Sequence, residues 1–302
     1  MTTTSGENQA AESGIDLAAL DPQVRPQDDF FRAINGRWLD EFEIPEDKAQ
    51  YASFTALHDV AEEQLHEIIT ELSDGVDLTA LDADGKPQDP ATQVAILFAD
   101  FMDTDRLDAA GTAPLAPLLD RIASVESAAD LPRVFGEFDR LGISSPVGTF
   151  VHQDNKDATQ YVFDIRQSGI GLPDRDFYLE EKFQDILTAY REHIAAMWQL
   201  AGWGDEEAAT ATAARIVELE TKIAQASWDK VRNRDPEATY NKLTLTEVDS
   251  LAPGLAIRDF LAADNVPADI DTINVGQPDY LTAISGLFTE VDLDTWRDYL
   301  RW

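Results

Sequence analysis

The chain has 302 residues, 44% of them hydrophobic and 27% charged, with no cysteine and a formal charge of −35. Disulfides, thiolate metal sites and cysteine nucleophiles are thereby excluded. So strong an acidic balance, spread along the whole chain, argues against nucleic acid or an anionic membrane as partner and reads as a solvated surface. No run of about 18 apolar residues exists to cross a bilayer.

The first 20 residues carry neither a basic n-region nor an apolar core, so no secretory leader is expected and a cytoplasmic location follows as the default. They are mostly small and polar, and residues 1–20 are expected to form a disordered tail. The next stretch, Asp28–Phe54, holds six aromatics in 27 residues: Phe30, Phe31, Trp38, Phe42, Tyr51 and Phe54. Asn35-Gly36 is a turn pair and Ile44-Pro45 breaks any helix through Trp38, so this reads as a packing hub that crosses several elements. An ordinary core-crossing segment and a binding segment both fit that composition.

Leu57, Ala61, Leu65, Ile68 and Leu72 recur at spacings of three and four, which predicts a helix over Ala56–Leu72. Asp74–Asp89 is rich in Gly, Pro and Asp and reads as an exposed loop. Asp89-Pro90 is a cap followed by proline at the first helical position. The helix it opens is expected to bury Val94, Leu97, Phe98, Phe101 and Met102. Two shorter helices, Pro114–Val125 and Leu131–Leu141, follow, the second closed by Gly142. The period then changes to two over Val147–His152 and Tyr161–Arg166, around the polar turn Asp154–Asp157, which predicts a β-hairpin.

Two long helices come next. One spans Leu179–Ala201, with Phe183, Ile186, Leu187, Tyr190, Ile194, Met197 and Trp198 on its apolar side. The other starts at Asp205, with Glu206 and Glu207 in its first turn and Ile216, Leu219 and Ile223 in its stripe. Thr244–Leu251, Leu255–Ala262 and Pro278–Phe288 are shorter helical pieces, and Asp292–Trp302 is a final amphipathic helix. The chain stops inside that helix on an aromatic residue, so the N-terminal part of a longer protein, or a truncated gene product, is expected.

Three segments together carry a family resemblance. DDFFRAINGRWL followed by IP and YASF, then GLPDRDFY at Gly171–Tyr178, then TYNKLTLTEV at Thr239–Val248, stand in one order and at roughly one spacing. In these the chain resembles the N-terminal portion of the neprilysin-like (M13) zinc metallopeptidases, of bacterial type. The resemblance implies a mainly α fold, a multi-helix cap with a small β-hairpin, over residues 21–302. It implies a parent hydrolase that cleaves oligopeptides with zinc-activated water. The C-terminal catalytic domain would be absent from this chain, as its partner in the same or a separate chain.

The family's zinc helix carries His-Glu-x-x-His, in which two histidines four apart share a face and the glutamate acts on the bound water. The four histidines here are His58, His66, His152 and His193, and none begins that motif. His66-Glu67 is followed by Thr70 where the second ligand would stand, and His193 lacks both partners. His58, Glu62 and His66 share a helix face but span about 12 Å at about 1.5 Å per residue, too far for one ion. The chain is thus expected to hold no zinc and to be inactive alone.

What the resemblance adds is substrate contact. The segment matching Gln50–His58 would line the primed side of the cleft, with Phe54 at the position of an aromatic that helps form the S1′ pocket. Gln50 and His58 stand where neprilysin has two arginines for a terminal carboxylate, and Thr55 where it has an aspartate. Gln and neutral His cannot replace a bidentate guanidinium, so endopeptidase-like behaviour is implied. Peptide substrates are therefore the expected ligands, with Gln50, Phe54, Thr55 and His58 as substrate-binding candidates and no catalytic or metal residue. Phe54 as a plain core aromatic remains equally open.

In Gly171–Tyr178, Gly171 and Pro173 suit a tight turn, Asp174 or Asp176 a cap, and Arg175 an ion-pair network with its flanking aspartates. Arg232, Arg234 and Asp235 form a charged cluster that either pins the cap to its partner domain or is a capped interhelical loop. A second overall reading also stands: a standalone helical interaction protein that has lost catalysis. With its apolar surface unpartnered, the chain is expected to self-associate despite its charge.

Overall fold

The computed structural model describes residues 16–302 apart from 75, 78, 80 and 88. The expected tail lies outside the described residues as far as residue 15. From Asp16 the chain already has structure: its side chain accepts from Ala18 N and caps a short 3₁₀ turn, Leu17–Ala19. The chain divides into two compact units, Met1–Thr104 and Asp105–Trp302.

Among its described residues the first unit contains three α-helices, α1 (Phe30–Glu41), α2 (Ser53–Ser73) and α3 (Pro90–Met102). Asn35-Gly36 does not turn the chain but sits inside α1. Gly36 is accepted there because α1 passes Asp21 so closely that a Cβ would lie 2.6 Å from the Asp21 Cβ. Asp29 caps α1 through Arg32 N, and Asp89 caps α3 through Ala91 N and Thr92 N, with Pro90 opening the helix. α2 and α3 pack on each other.

The stripe expected to be buried on α3 is not. Val94, Leu97, Phe101 and Met102 are exposed, Phe98 is half-buried, and the fully buried positions are Thr92 and Ala95. The helices described in this unit do not supply enough surface to cover two apolar faces, so most large residues of the α3 stripe stay open.

The second unit is built on a four-stranded sheet in the order β1-β2-β4-β3. β1 (Val147–Gln153) and β2 (Tyr161–Gln167) are the expected hairpin, antiparallel with Val147 opposite Gln167. The sheet is larger than that expectation. β4 (Thr272–Val275) adds to β2 in parallel, with Asp164 opposite Asn274, and β3 (Lys242–Thr244) pairs antiparallel with β4.

The helices that follow are α4 (Thr104–Ala110), α5 (Ala116–Ala123), α6 (Leu131–Asp139), α7 (Asp176–Leu179), α8 (Gln184–Leu200), α9 (Glu206–Ala226), α10 (Leu245–Leu251), α11 (Ile257–Ala263), α12 (Pro278–Glu290) and α13 (Leu293–Arg301). Gly142, in the left-handed region at φ 77°, ends the α6 turn as expected. α6 crosses α11 so tightly at Gly136 that a Cβ would meet the Phe260 carbonyl at 2.3 Å.

The main core gathers Phe135, Phe288, Trp296 and Tyr299, with ring centroids 5.3 to 5.8 Å apart in successive contacts. Ile216, Leu219 and Ile223 of α9 are all buried, as their spacing requires. On α8 the apolar side is only half covered: Ile194 and Trp198 are buried, but Ile186 and Met197 are exposed.

Candidate substrate-contact site

The segment between α1 and α2 is held at both ends. Trp38 stacks on Phe42 at 4.9 Å, and Phe42 meets Tyr51 at 4.5 Å. Tyr51 Oη donates to Asp59 Oδ2 at 3.2 Å and Lys48 Nζ to Asp59 Oδ1 at 2.8 Å. The Lys48 hydrogen bond holds the Asp59 carboxyl below its usual range and raises Lys48, while desolvation raises the Tyr51 phenol. These contacts fix where α2 begins.

Gln50 is exposed just before α2. Phe54 leaves the first turn 86% exposed, so it is not a core aromatic of this chain. His58 lies one turn on, on the same face, and its Nε2 is 3.3 Å from Glu62 Oε1 in an exposed pair. Thr55 is half-buried. A cavity of about 480 Å³ lies beside them, lined by Phe31, Asn35, Trp38, Tyr51 and Ala56 among others. None of the four candidate residues lines it; chain adjacency alone brings them together. Among the described residues no group of three or more His, Cys, Asp or Glu side chains is placed to hold a metal. The donors among the described residues do not fit a zinc centre.

Composition gave no signal for two polar centres in the second unit. The first is Asp164, fully buried on β2, which His152 Nε2 and Asn274 Nδ2 both contact closely. The only sequence hint is an aspartate inside the apolar run Val162–Ile165. The second is Glu220, 2% exposed on α9. It accepts from Tyr178 Oη at 2.7 Å, from Tyr190 Oη at 3.1 Å and from the Gly171 amide. Burial pushes its carboxyl up to about 7 and raises both phenols.

Gly171–Tyr178 is the other half of that second centre. Gly171 is required because a Cβ would lie 2.0 Å from Tyr190 Oη. Tyr178 Oη also receives Leu172 N at 3.0 Å. The expected ion pairs of Arg175 with its flanking aspartates are not formed. Arg175 instead donates to the Ser227 carbonyl, Asp174 caps the turn through Asp176 N, and Asp176 faces Lys230 at 3.4 Å. Arg232 of the charged cluster is engaged within the chain, 3.4 Å over the Trp228 ring and 3.1 Å from Asp279.

A mainly helical chain with this small sheet is the architecture of the N-terminal region of a metallopeptidase class. The family model described as Peptidase family M13 matches residues 26–302, and the chain belongs to that family. Endothelin-converting enzyme 1 from Homo sapiens is 28% identical over 299 residues, covering 95% of this chain and 37% of that enzyme. The crystal structure of the Mycobacterium tuberculosis zinc metalloprotease Zmp1 with an inhibitor superposes with a TM-score of 0.84 at 37% identity, over 97% of this chain and 44% of that one. PepO from Lactobacillus rhamnosis shares the fold, with a TM-score of 0.70 at 20% identity over 92% of this chain and 42% of that one. The chain therefore spans less than half the length of these relatives. No helix among its described residues is long and apolar enough to cross a membrane.

Proposed function

We propose that this chain is the N-terminal, mainly helical part of a zinc metalloendopeptidase that hydrolyses oligopeptides. In this reading a C-terminal catalytic domain supplies the zinc and the attacking water, and residues 21–302 shape the enclosed cavity and its primed-side pockets. The observation that carries it is the family match over residues 26–302 in a chain whose histidines form no His-Glu-x-x-His. Phe54 supports the pocket assignment, because an aromatic left 86% exposed on a pinned helix start is available to a peptide side chain. Gln50, Thr55 and His58 supply polar contacts around it, with no bidentate grip on a terminal carboxylate.

The test is direct. The purified 302-residue chain is expected to bind no stoichiometric zinc by elemental analysis and to show no chelator-sensitive cleavage of fluorogenic oligopeptides. Joined to a catalytic half, from the same reading frame or a separate gene, it should restore cleavage, and Phe54→Ala should then raise KM. Chelator-sensitive cleavage by the isolated chain would overturn the assignment of chemistry to another domain. A second reading, a standalone interaction protein without catalysis, draws on the open apolar faces of α2 and α3. It would prevail if no catalytic half is encoded in frame or separately.

A further inference from the structure

Three of the chain's 23 basic side chains converge on one cavity of about 600 Å³ in the second unit: Arg166, Arg175 and Lys230. Asp174 is the sole carboxylate in its lining, and its Oδ1 already accepts from Asp176 N at 2.9 Å. Phe150 and Trp228 supply apolar walls. In a protein of charge −35, a lining with three cations and one carboxylate is locally basic, with Asp164 and Asp176 each 3.4 Å from one of those cations.

Arg166 is the centre of the argument. Its stem crosses Gly276, where a Cβ would lie 2.6 Å from the Arg166 Cδ, so the glycine leaves room for it to pass. Its guanidinium sits 5.3 Å over the Phe150 ring. Packing thus fixes the side chain, yet its donors are only partly used. The Nε is buried without an acceptor, and the closest carboxylate approach is Nη2 to Asp164 Oδ1 at 3.4 Å, beyond good hydrogen-bond length. Asp164 is meanwhile committed to His152 and Asn274. A guanidinium has five donors in a fork that matches a planar or tetrahedral oxyanion, and a buried donor without an acceptor is costly. Lys230 is 64% exposed and only loosely paired with Asp176 at 3.4 Å, so it can turn to the same ligand. Arg175, held by the Ser227 carbonyl, adds positive charge at the wall.

We propose that this cavity binds the oxyanion group of a small molecule, a carboxylate or a phosphate, with Arg166 and Lys230 as its binding residues and Arg175 as an electrostatic support. The volume is that of a small-ligand pocket and leaves room for several atoms beyond the anionic group.

The experiment is isothermal titration of the 302-residue chain with inorganic phosphate and, separately, with succinate, at constant ionic strength set with sodium chloride. Saturable one-to-one binding of at least one is expected, and the tighter of the two identifies the class. Arg166→Gln should weaken it by roughly tenfold or more, the loss of a charge-assisted hydrogen bond. Lys230→Gln should weaken it by about threefold, as for a solvent-facing charge. Arg258→Gln, whose side chain is exposed outside this lining, should bind as wild type. Circular dichroism checks that Arg166→Gln folds; Lys230, being exposed, decides the matter if it does not. Failure of both anions to saturate, or undiminished affinity in Lys230→Gln and folded Arg166→Gln, overturns the proposal.

Discussion

The two units answer the same sequence signal differently. α3 and α9 both carry apolar residues at helical spacing, yet α9 buries Ile216, Leu219 and Ile223 while α3 leaves Leu97 and Phe101 more than 70% exposed. Up to Thr104, the buried residues among those described are Ala33, Gly36, Thr92 and Ala95, all without a large apolar side chain. From Asp105 on, Trp296, Tyr280, Phe135, Phe260 and Phe288 are each under 2% exposed. Periodicity therefore specifies a helix, but burial depends on how many elements surround it. The second unit has a sheet and ten α-helices to close its core; the first has three among its described residues.

The largest expected effect tests that difference in stability. Trp296 is edge-on to Phe135, Phe288 and Tyr299, and Trp296→Ala should cost about 3–5 kcal/mol in urea denaturation. Phe101→Ala, at a position 74% exposed, should cost about 0.5 kcal/mol or less. Replacing Leu97 and Phe101 together with serine should instead reduce self-association in sedimentation velocity. A Phe101→Ala loss comparable with Trp296→Ala would mean that the first unit's faces are covered in solution.

A second contrast is in pH dependence. Glu220 keeps its proton in the folded chain up to about 7, against an ordinary value of 4.5. Between those values the folded state holds more protons than the unfolded one, so this group's contribution to stability falls as pH rises from 4.5 to 7, then levels. The loss is on the order of 3 kcal/mol. The stability difference between wild type and Glu220→Gln should shift by about that amount, in the variant's favour, between pH 4.5 and pH 8. In the first unit Asp59 acts with the opposite sign: its carboxyl is lowered, so its contribution is present above the ordinary carboxylate range and fades as pH falls. Asp59→Asn should therefore lose a contribution that is present at all pH values above the ordinary 3.8 and fades below it. A wild-type profile parallel to that of Glu220→Gln would show that Glu220 is not protonated at neutral pH.

These contrasts also mark what the chain discloses before it is folded. Caps and stripes are local, so the Asp89-Pro90 and Asp205 starts, the α9 core and the β1–β2 hairpin are all legible. β3 and β4 are not. They are three and four residues long and take their place through pairings such as Asp164 with Asn274, 110 residues apart. Glu220 looks like any solvent-facing acid in a charged helix, because its two phenol partners come from other elements. The same holds for the Arg166, Arg175 and Lys230 cavity, which three separate segments assemble. Gln50, Phe54, Thr55 and His58 came from family resemblance; the physical fact the fold adds is the exposure of Phe54.

The smallest expected effect concerns the two helix starts that the sequence marked most clearly. Asp205 accepts from Ala208 N at the head of α9, and Asp89 accepts from Ala91 N and Thr92 N at the head of α3. The local chemistry is alike, but α9 is clamped by a core and α3 is not. Asp205→Ala should therefore lower the stability of the second unit by about 1 kcal/mol, because the whole helix must stay folded while its first amides lose an acceptor. Asp89→Ala should fray α3 locally, raising amide hydrogen exchange over Ala91–Ala95 and leaving the second unit's denaturation midpoint in place. If Asp89→Ala moves that midpoint as far as Asp205→Ala does, the two units unfold in one transition and the contrast in their packing has no separate energetic meaning.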